Sequence, residues 1–140
     1  MKGQSLVEFA LSIVVLLFLL SGVVEFGIAF FQYVQLRDAA QEGALYGSVC
    51  DCPVAEIEER VRASSTTPIN LETAPIFIEV SAVDPYGNPK DAELACEEDA
   101  LSVRVSFAHK IFMPFLPQLI GRDEIILSAV VIDTVLVPKC

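Results

Sequence analysis

The sequence has no tryptophan, a single histidine and few basic residues. Nine Lys and Arg stand against nineteen Asp and Glu, which gives a net charge of −10 over 140 residues. This excess of acidic groups excludes nucleic acid and anionic lipid as favoured partners, because both carry charge of the same sign. The length leaves room for one membrane segment and one small domain.

Motifs of enzyme chemistry are also missing. The sequence contains no Gly-x-Ser-x-Gly, no Gly-x-Gly-x-x-Gly and no phosphate-binding loop. The lone His109 follows a strand-like segment, where we expect a surface or edge residue and not a base. The acidic stretch 93–99 lacks the alternating ligand spacing of a calcium loop, and Cys-x-Cys with one His is a poor zinc site. We expect no catalysis, no metal and no cofactor.

Charge is almost absent from one long segment near the N-terminus. Between Glu8 and Gln32 lie 23 residues, and Glu25 is the only charge among them. As a helix this segment is about 35 Å long, enough to cross a hydrocarbon core about 30 Å thick. We expect a helix over residues 4–50, in a membrane or filament core to about residue 32, and an exported domain over 51–140. Lys2 favours an orientation with the N-terminus inside and the C-terminus outside.

Polar and small residues form two stripes on this helix. The stripes are Ser5, Glu8 and Ser12, and then Ser21, Gly22, Glu25, Ala29 and Gln32. Small residues permit close helix packing and polar ones hydrogen-bond across it, which favours a helix packed among copies of itself. For Glu25 two interpretations are open, a protonated carboxyl tolerated near the membrane edge or a polar group of the packed filament.

The rest of the sequence predicts an α+β fold. Small residues on one face carry the first helix to about Val49 and predict close packing against a sheet; they are Leu36, Ala39, Ala40, Gly43 and Gly47. A short helix is expected over 53–63, followed by a loop over 64–75. Alternation with a period of two predicts strands over 76–81 and 101–108. The run 125–137 is apolar on both faces and predicts a central strand, within an antiparallel sheet of three to four strands.

An apolar loop with two prolines, residues 112–120, precedes the last predicted strand. Prolines exclude this loop from the centre of a sheet. If it is exposed, it marks a contact surface. The alternative is that it folds back over the sheet and fills the core.

Four cysteines in a small exported domain predict disulfides, and they are Cys50, Cys52, Cys96 and Cys140. We expect Cys50 and Cys52 to be too close to bridge each other comfortably, given the geometry that a disulfide requires. Each is therefore expected to reach Cys96 or Cys140, and both arrangements are open.

The opening residues resemble those of type IV prepilins and pseudopilins. A short basic leader ends at Gly3, Glu8 is the fifth residue counted from Gln4, and an apolar helix follows. The run Gly-Gln-Ser-Leu-Val-Glu-Phe-Ala-Leu is similar to the start of TadE-like minor pilins of the tight-adherence (Flp) pilus system. The resemblance continues over residues 36–44 and in the strand, Pro-rich loop and strand near the C-terminus.

This resemblance implies a structural pilus subunit, a pilin or minor pilin, for adhesion, surface attachment or motility. The leader 1–3 would be removed between Gly3 and Gln4, and Glu8 would act in assembly by facing the new amine of a neighbouring subunit. If Gly3 is not processed, Lys2 is an alternative partner of Glu8. The implied partners are other pilin subunits, a prepilin peptidase and the assembly platform. The implied location is the bacterial cytoplasmic membrane and then the extracellular filament.

Two other functions are alternatives to a pilus subunit. The first is a single-pass, membrane-anchored periplasmic or extracellular binding domain of a secretion system, which never enters a filament. The second is a secreted hydrolase with a cleaved signal. The second is less favoured, because the apolar run is too long for a signal sequence and no small-x-small cleavage site closes it.

Overall fold

A computed structural model of the protein describes residues 3–137, and its first element is one long helix. Helix α1 covers Gln4–Val49, 46 residues, and is about 69 Å long at 1.5 Å per residue. It is long and apolar enough to cross a membrane, and its most apolar stretch is not buried by any described part of the chain. The predicted N-terminal helix is therefore confirmed.

Four antiparallel strands form one sheet behind this helix. Strands β1 and β2 cover Phe77–Val83 and Pro89–Lys90, and β3 and β4 cover Ala100–Lys110 and Glu124–Thr134. Their order across the sheet is β2-β1-β3-β4, with Val105 of β3 opposite Ile78 of β1 and Ala129 of β4. The α+β fold and the sheet of three to four strands are thus confirmed.

Strand β4 lies at the edge of the sheet, so the prediction that it is central is wrong. Its inner face turns Leu127, Ala129 and Val131 toward the core. Its outer face leaves Ile126 and Ile132 exposed. A strand with apolar residues on both faces resembles a buried one in sequence, but here only one face is covered by the described chain.

The second half of α1 packs against β3, β4 and the short helix α2, which covers Val54–Ala63. The predicted face is buried as expected, over Leu36, Ala39, Ala40, Gly43 and Gly47, and Ala44 is buried with it. A Cβ on Gly43 would overlap Cγ2 of Val61, and one on Gly47 would lie 2.5 Å from Cδ2 of Leu101. Glycine at these two positions therefore allows α1 to approach α2 and the sheet closely.

Backbone and side-chain hydrogen bonds tie the loops to α1. The Gln35 side chain is buried; its Nε2 donates to the Ser65 hydroxyl at 2.9 Å, and its Oε1 accepts from the Ile69 N–H at 2.9 Å. After β4, the Leu136 N–H donates to the Ser48 carbonyl at 2.8 Å. The loop 64–75 and the end of the described chain are both held against the helix in this way.

Candidate functional site

The first five turns of α1 stand clear of the domain, and Glu8 lies within them. Gly3 occupies the N-cap position, and residues 3–20 are all exposed. The Glu8 carbonyl accepts a hydrogen bond from the Ser12 hydroxyl at 2.9 Å. Among residues 3–137 no hydrogen bond or ion pair involves the Glu8 carboxylate. Its alternative partner, Lys2, lies outside the described residues, and so does the rest of the leader before Gly3.

Glu25, in contrast, is bound by the domain. Its Oε1 lies 2.8 Å from Nε2 of His109, and both of its carboxylate oxygens lie 3.1 Å from the Phe112 N–H, which donates to them. On the other side of the imidazole, Nδ1 lies 2.6 Å from Oε1 of Gln32. We call Glu25, Gln32, His109 and the Phe112 N–H the helix latch.

His109 is 1% exposed, so the prediction of a surface or edge residue is wrong. It lies on β3, an inner strand of the sheet, on the same face as the buried Val103 and Val105. The alternation along β3 indicates that His109 is buried, because it continues the odd-numbered positions, whose side chains face the core. The partners of His109 on α1 lie 77 and 84 positions away in the sequence, so no local pattern identifies them.

The hydrogen-bond geometry of the helix latch constrains where its shared protons lie. The amide oxygen of Gln32 can only accept, so Nδ1 of His109 carries a proton. A hydrogen bond between Nε2 and the Glu25 carboxyl then needs one further proton, on the imidazole or on the carboxyl. In both cases the Glu25 carboxyl is hydrogen-bonded, which lowers the cost of placing it next to an apolar segment. An assembly role for Glu25 stays a prediction; within this chain its carboxyl is already partnered.

The apolar loop between β3 and β4 divides its side chains between two environments. Ile111 and Met113 are buried, and Met113 lies against Gly22 of α1. The large side chains at the tip are exposed, namely Phe112, Phe115, Leu119 and Ile120. The loop includes the short helix α3, Leu116–Ile120. It therefore folds onto α1 and not over the sheet, and its tip is free in the described chain.

The domain reaches further toward the N-terminus of α1 than the sequence indicated. The sequence predicted that α1 passes from the membrane or filament core to the exported domain near Gln32. In the structure Met113 packs at Gly22, and Glu25 is bound through the latch. The part of α1 that the domain leaves uncovered is consequently the stretch from Gln4 to about Leu20.

An open groove of about 650 Å³ lies between α1, α2 and the loop that follows α2. Phe31, Asp38, Glu42 and Pro68 are among the residues that line it. Arg60 closes one side, where its Nε donates to Oε1 of Glu42 at 2.8 Å. The groove is thus mixed in character, with apolar and polar side chains in its walls, and within residues 3–137 no hydrogen bond or ion pair involves the carboxylate of Asp38.

The cysteines pair differently from the prediction. Cys50 and Cys52 are joined by a disulfide, with their Cα atoms 5.2 Å apart. The helix ends at Val49, and Cys50 is extended, with φ −109° and ψ 142°, which sets a Cα separation within the usual range for a bridge. The expected links from Cys50 and Cys52 to Cys96 or Cys140 are therefore wrong. Cys140 itself lies outside the described residues.

Asp99 organises the turn that contains Cys96. Its Oδ2 accepts from the Cys96 N–H at 2.6 Å and from Nζ of Lys90 at 2.9 Å. The hydrogen bond from the Cys96 N–H, followed by that from Lys90, lowers the pKa of the Asp99 carboxyl below its ordinary value. This turn lies beside the end of β4, because the Val135 N–H donates to the Asp99 carbonyl at 2.9 Å.

Residues 3–45 match the family model described as TadE-like protein. The match includes Gly3, Gln4 and Glu8 and two members of the helix latch, Glu25 and Gln32, and it ends before α2 and the sheet. It confirms the family resemblance of the N-terminal segment. No curated protein and no solved structure matches the chain.

Proposed function

We propose that this chain, with its TadE-like N-terminal segment, is a structural subunit of a Tad pilus, a pilin or minor pilin. The family match indicates a protein associated with the Tad pilus. In this proposal α1 first anchors the subunit in the cytoplasmic membrane, with the domain outside. The same helix then assembles into the extracellular filament, which serves adhesion, surface attachment or motility.

The observation that carries the proposal is the uncovered first part of α1. Twelve large apolar side chains between Leu6 and Leu20 are exposed. At about 2 kcal/mol for each one left in water, their exposure costs on the order of 20 kcal/mol. The unfolded chain would leave the same side chains in water, so folding of the domain does not recover this free energy. Lipid or neighbouring helices must therefore cover this segment.

Glu8 supports a filament as the final state. In lipid alone a carboxylate on this segment is costly, and the described chain offers it no partner. An amine at Gln4 of a neighbouring subunit, created by a prepilin peptidase that cuts after Gly3, would supply the opposite charge. Ser5 and Ser12 lie on the same face of α1 and extend the polar contact between helices.

The test is fractionation of cells that make the whole pilus system. Filaments are sheared from the surface and separated from membranes, and each fraction is probed for this chain. We expect the chain in both fractions, since unassembled subunits remain in the membrane. Filaments that form normally and contain none of the chain would contradict a role as a filament subunit.

The alternative function is a membrane-anchored binding domain that stays in the membrane, and the groove beside α1 is the observation in its favour. Its volume of about 650 Å³ falls in the range of small-ligand sites. The same fractionation separates the two functions, because an anchored domain would be found only with the membranes.

A further inference from the structure

We propose that the tip of the β3–β4 loop is a lipid-contact surface that enters the outer leaflet of the membrane beside α1. The tip is defined by the exposed side chains of Phe112, Phe115, Leu119 and Ile120. The inference rests on the membrane anchoring in the proposed function and goes further, because it gives the domain a second membrane contact.

Contacts with Gly22 and Glu25 fix the position of the loop along the axis of α1. The Met113 side chain lies against Gly22, and the Phe112 N–H donates to the Glu25 carboxylate. From Gln4 to Val24 the helix rises about 30 Å, which equals the thickness of the hydrocarbon core. When the N-terminal end of α1 lies at the inner boundary of the core, the loop therefore lies at the outer boundary.

The surface of the tip has the chemistry of a lipid contact. Phe115 is 73% exposed and Leu119 is 80% exposed, although both are large apolar side chains. The charged residues nearest to the tip in sequence, Lys110, Arg122, Asp123 and Glu124, are balanced in sign. The attraction is thus apolar and needs no anionic lipid, in agreement with the acidic composition of the chain.

The apolar surface of the tip is continuous with that of α1. Phe26 and Val24, on the turns of α1 next to the loop, are also exposed. The groove between α1 and the loop is mostly apolar, because Leu17, Leu20, Val24 and Ile28 line it together with Phe112 and Met113, beside Ser21 and Glu25. Lipid that covers the uncovered part of the helix can therefore reach the loop along these side chains. This continuity favours lipid over a separate protein partner as the occupant of the surface.

The absence of tryptophan from the sequence allows a direct test. A single tryptophan is introduced by Leu119→Trp or by Phe115→Trp in the full chain. Each variant is placed, one chain per disc, in phosphatidylcholine nanodiscs with and without brominated acyl chains, which quench tryptophan fluorescence on contact. We expect at least twofold quenching and a blue-shifted emission at both positions.

Two matched controls bracket the result. Phe18→Trp lies in the uncovered part of α1 and should be quenched. Tyr86→Trp lies in the turn after β1, where the side chain is 91% exposed, and should not be quenched. This turn follows Val83, which pairs with Ala100 at the opposite end of β3 from Lys110, about 33 Å along the strand.

Each outcome decides the proposal. If the tryptophans at positions 115 and 119 are not quenched, like the one at position 86, while the one at position 18 is quenched, the lipid contact is overturned. The membrane anchoring through α1 then still stands. A blue-shifted emission without quenching means that protein covers the tip and also overturns it. Absence of quenching at 18 removes the anchoring, and the lipid contact with it.

Discussion

Nε2 of His109 lies 2.8 Å from Oε1 of Glu25, so the lone histidine of the sequence meets the lone charge of the apolar run. The contact joins the end of β3 to α1 across 84 positions of sequence. Since the Glu25 carboxyl finds hydrogen-bond partners within its own chain, it can lie next to lipid at lower cost than an unpartnered carboxyl. It also fixes where the domain lies along the axis of α1 and which face of the helix the domain contacts. The position of the β3–β4 loop depends on both.

The first prediction concerns the stability that this latch contributes. Glu25→Ala leaves the His109 imidazole and the Phe112 N–H without their hydrogen-bond partner, and we expect the free energy of unfolding to fall by about 1–3 kcal/mol. Glu25→Gln should cost less, because its amide can donate to Nε2 and still accept from the Phe112 N–H. Denaturant unfolding of the full chain in detergent measures both. Equal loss in the two variants would show that hydrogen bonding is not what the latch provides.

The second prediction concerns the close approach of α1 and α2. Gly43→Ala places a Cβ onto Cγ2 of Val61, a β-branched side chain that cannot easily rotate away. Overpacking costs about 1–3 kcal/mol, whereas alanine gains up to about 1 kcal/mol in helix propensity, so we expect a net loss of stability. Gly27→Ala is the matched control, because nothing lies within 4 Å of its added Cβ. A higher midpoint for Gly43→Ala than for the wild type would refute the packing argument.

Much of this fold follows from local patterns. The period of the helix, together with small residues at Ala39, Ala40, Gly43 and Gly47, predicts both α1 and the face that packs on the sheet. Alternation predicts β1 and β3 within a few residues, and the apolar run 125–137 predicts β4, whereas the two-residue strand β2 was not predicted. These patterns are reliable because each element must bury one face, whatever its partner is.

The edge position of β4, the helix latch and the disulfide depend on contacts or backbone geometry that no local sequence pattern contains. The exposed outer face of β4 has the same composition as a buried one, so the sequence could not place that strand at the edge. The latch required knowing that β3 ends beside Gln32 and Glu25 of α1. The Cys50–Cys52 bond follows from the backbone geometry after the helix end, which composition does not determine.

The third prediction concerns acid stability. Because hydrogen bonds from the Cys96 N–H and Lys90 lower the pKa of Asp99, the unfolded state binds more protons than the folded state. The contribution of Asp99 is therefore complete above about pH 5, and it is lost as the pH falls below about 4 toward the folded pKa. Asp99→Asn should lower stability at neutral pH and flatten its dependence over that range. Unfolding midpoints measured from pH 7 to pH 3 give the comparison.

Glu97→Gln is the control for this measurement. Glu97 belongs to the same turn and is exposed, and no hydrogen bond or ion pair involves its carboxylate among the described residues. It should follow the wild-type profile. If both variants lose the same acid sensitivity, the effect arises from the net charge of the turn and not from the Asp99 hydrogen bonds.

The fourth prediction concerns processing at Gly3. Gly3→Leu should block removal of the leader, because a branched side chain then occupies the last position before the cut. The chain should remain in the membrane fraction with its leader, while its domain unfolds at the wild-type midpoint. Mass spectrometry of the N-terminus checks this, and the mature wild-type chain should begin at Gln4. An intact Met1 in subunits taken from wild-type filaments would show that no cleavage occurs there.

The fifth prediction separates the roles of the two carboxyl groups on α1. Glu8 lies about 21 Å along the helix from Gly22, where the loop contacts α1, so Glu8→Ala should leave the unfolding of the domain unchanged. Incorporation into filaments should fall by tenfold or more, because the carboxylate no longer offers an opposite charge in a low-dielectric core. Glu8→Gln should fail equally, since it keeps the size but not the charge. Glu8→Asp should rescue assembly in part, as the shorter side chain draws the charge back from its partner.

Glu25→Gln supplies the contrast in the same filament assay. Because its amide can preserve the latch hydrogen bonds, we expect subunits with this change to be incorporated nearly as well as the wild type. The two carboxyl groups are then distinguished by what they meet: Glu8 needs a charge from another subunit, and Glu25 needs hydrogen-bond partners from its own domain. If Glu8→Ala assembles normally while Glu25→Gln does not, these roles are reversed, and the charge that filament contacts require is that of Glu25.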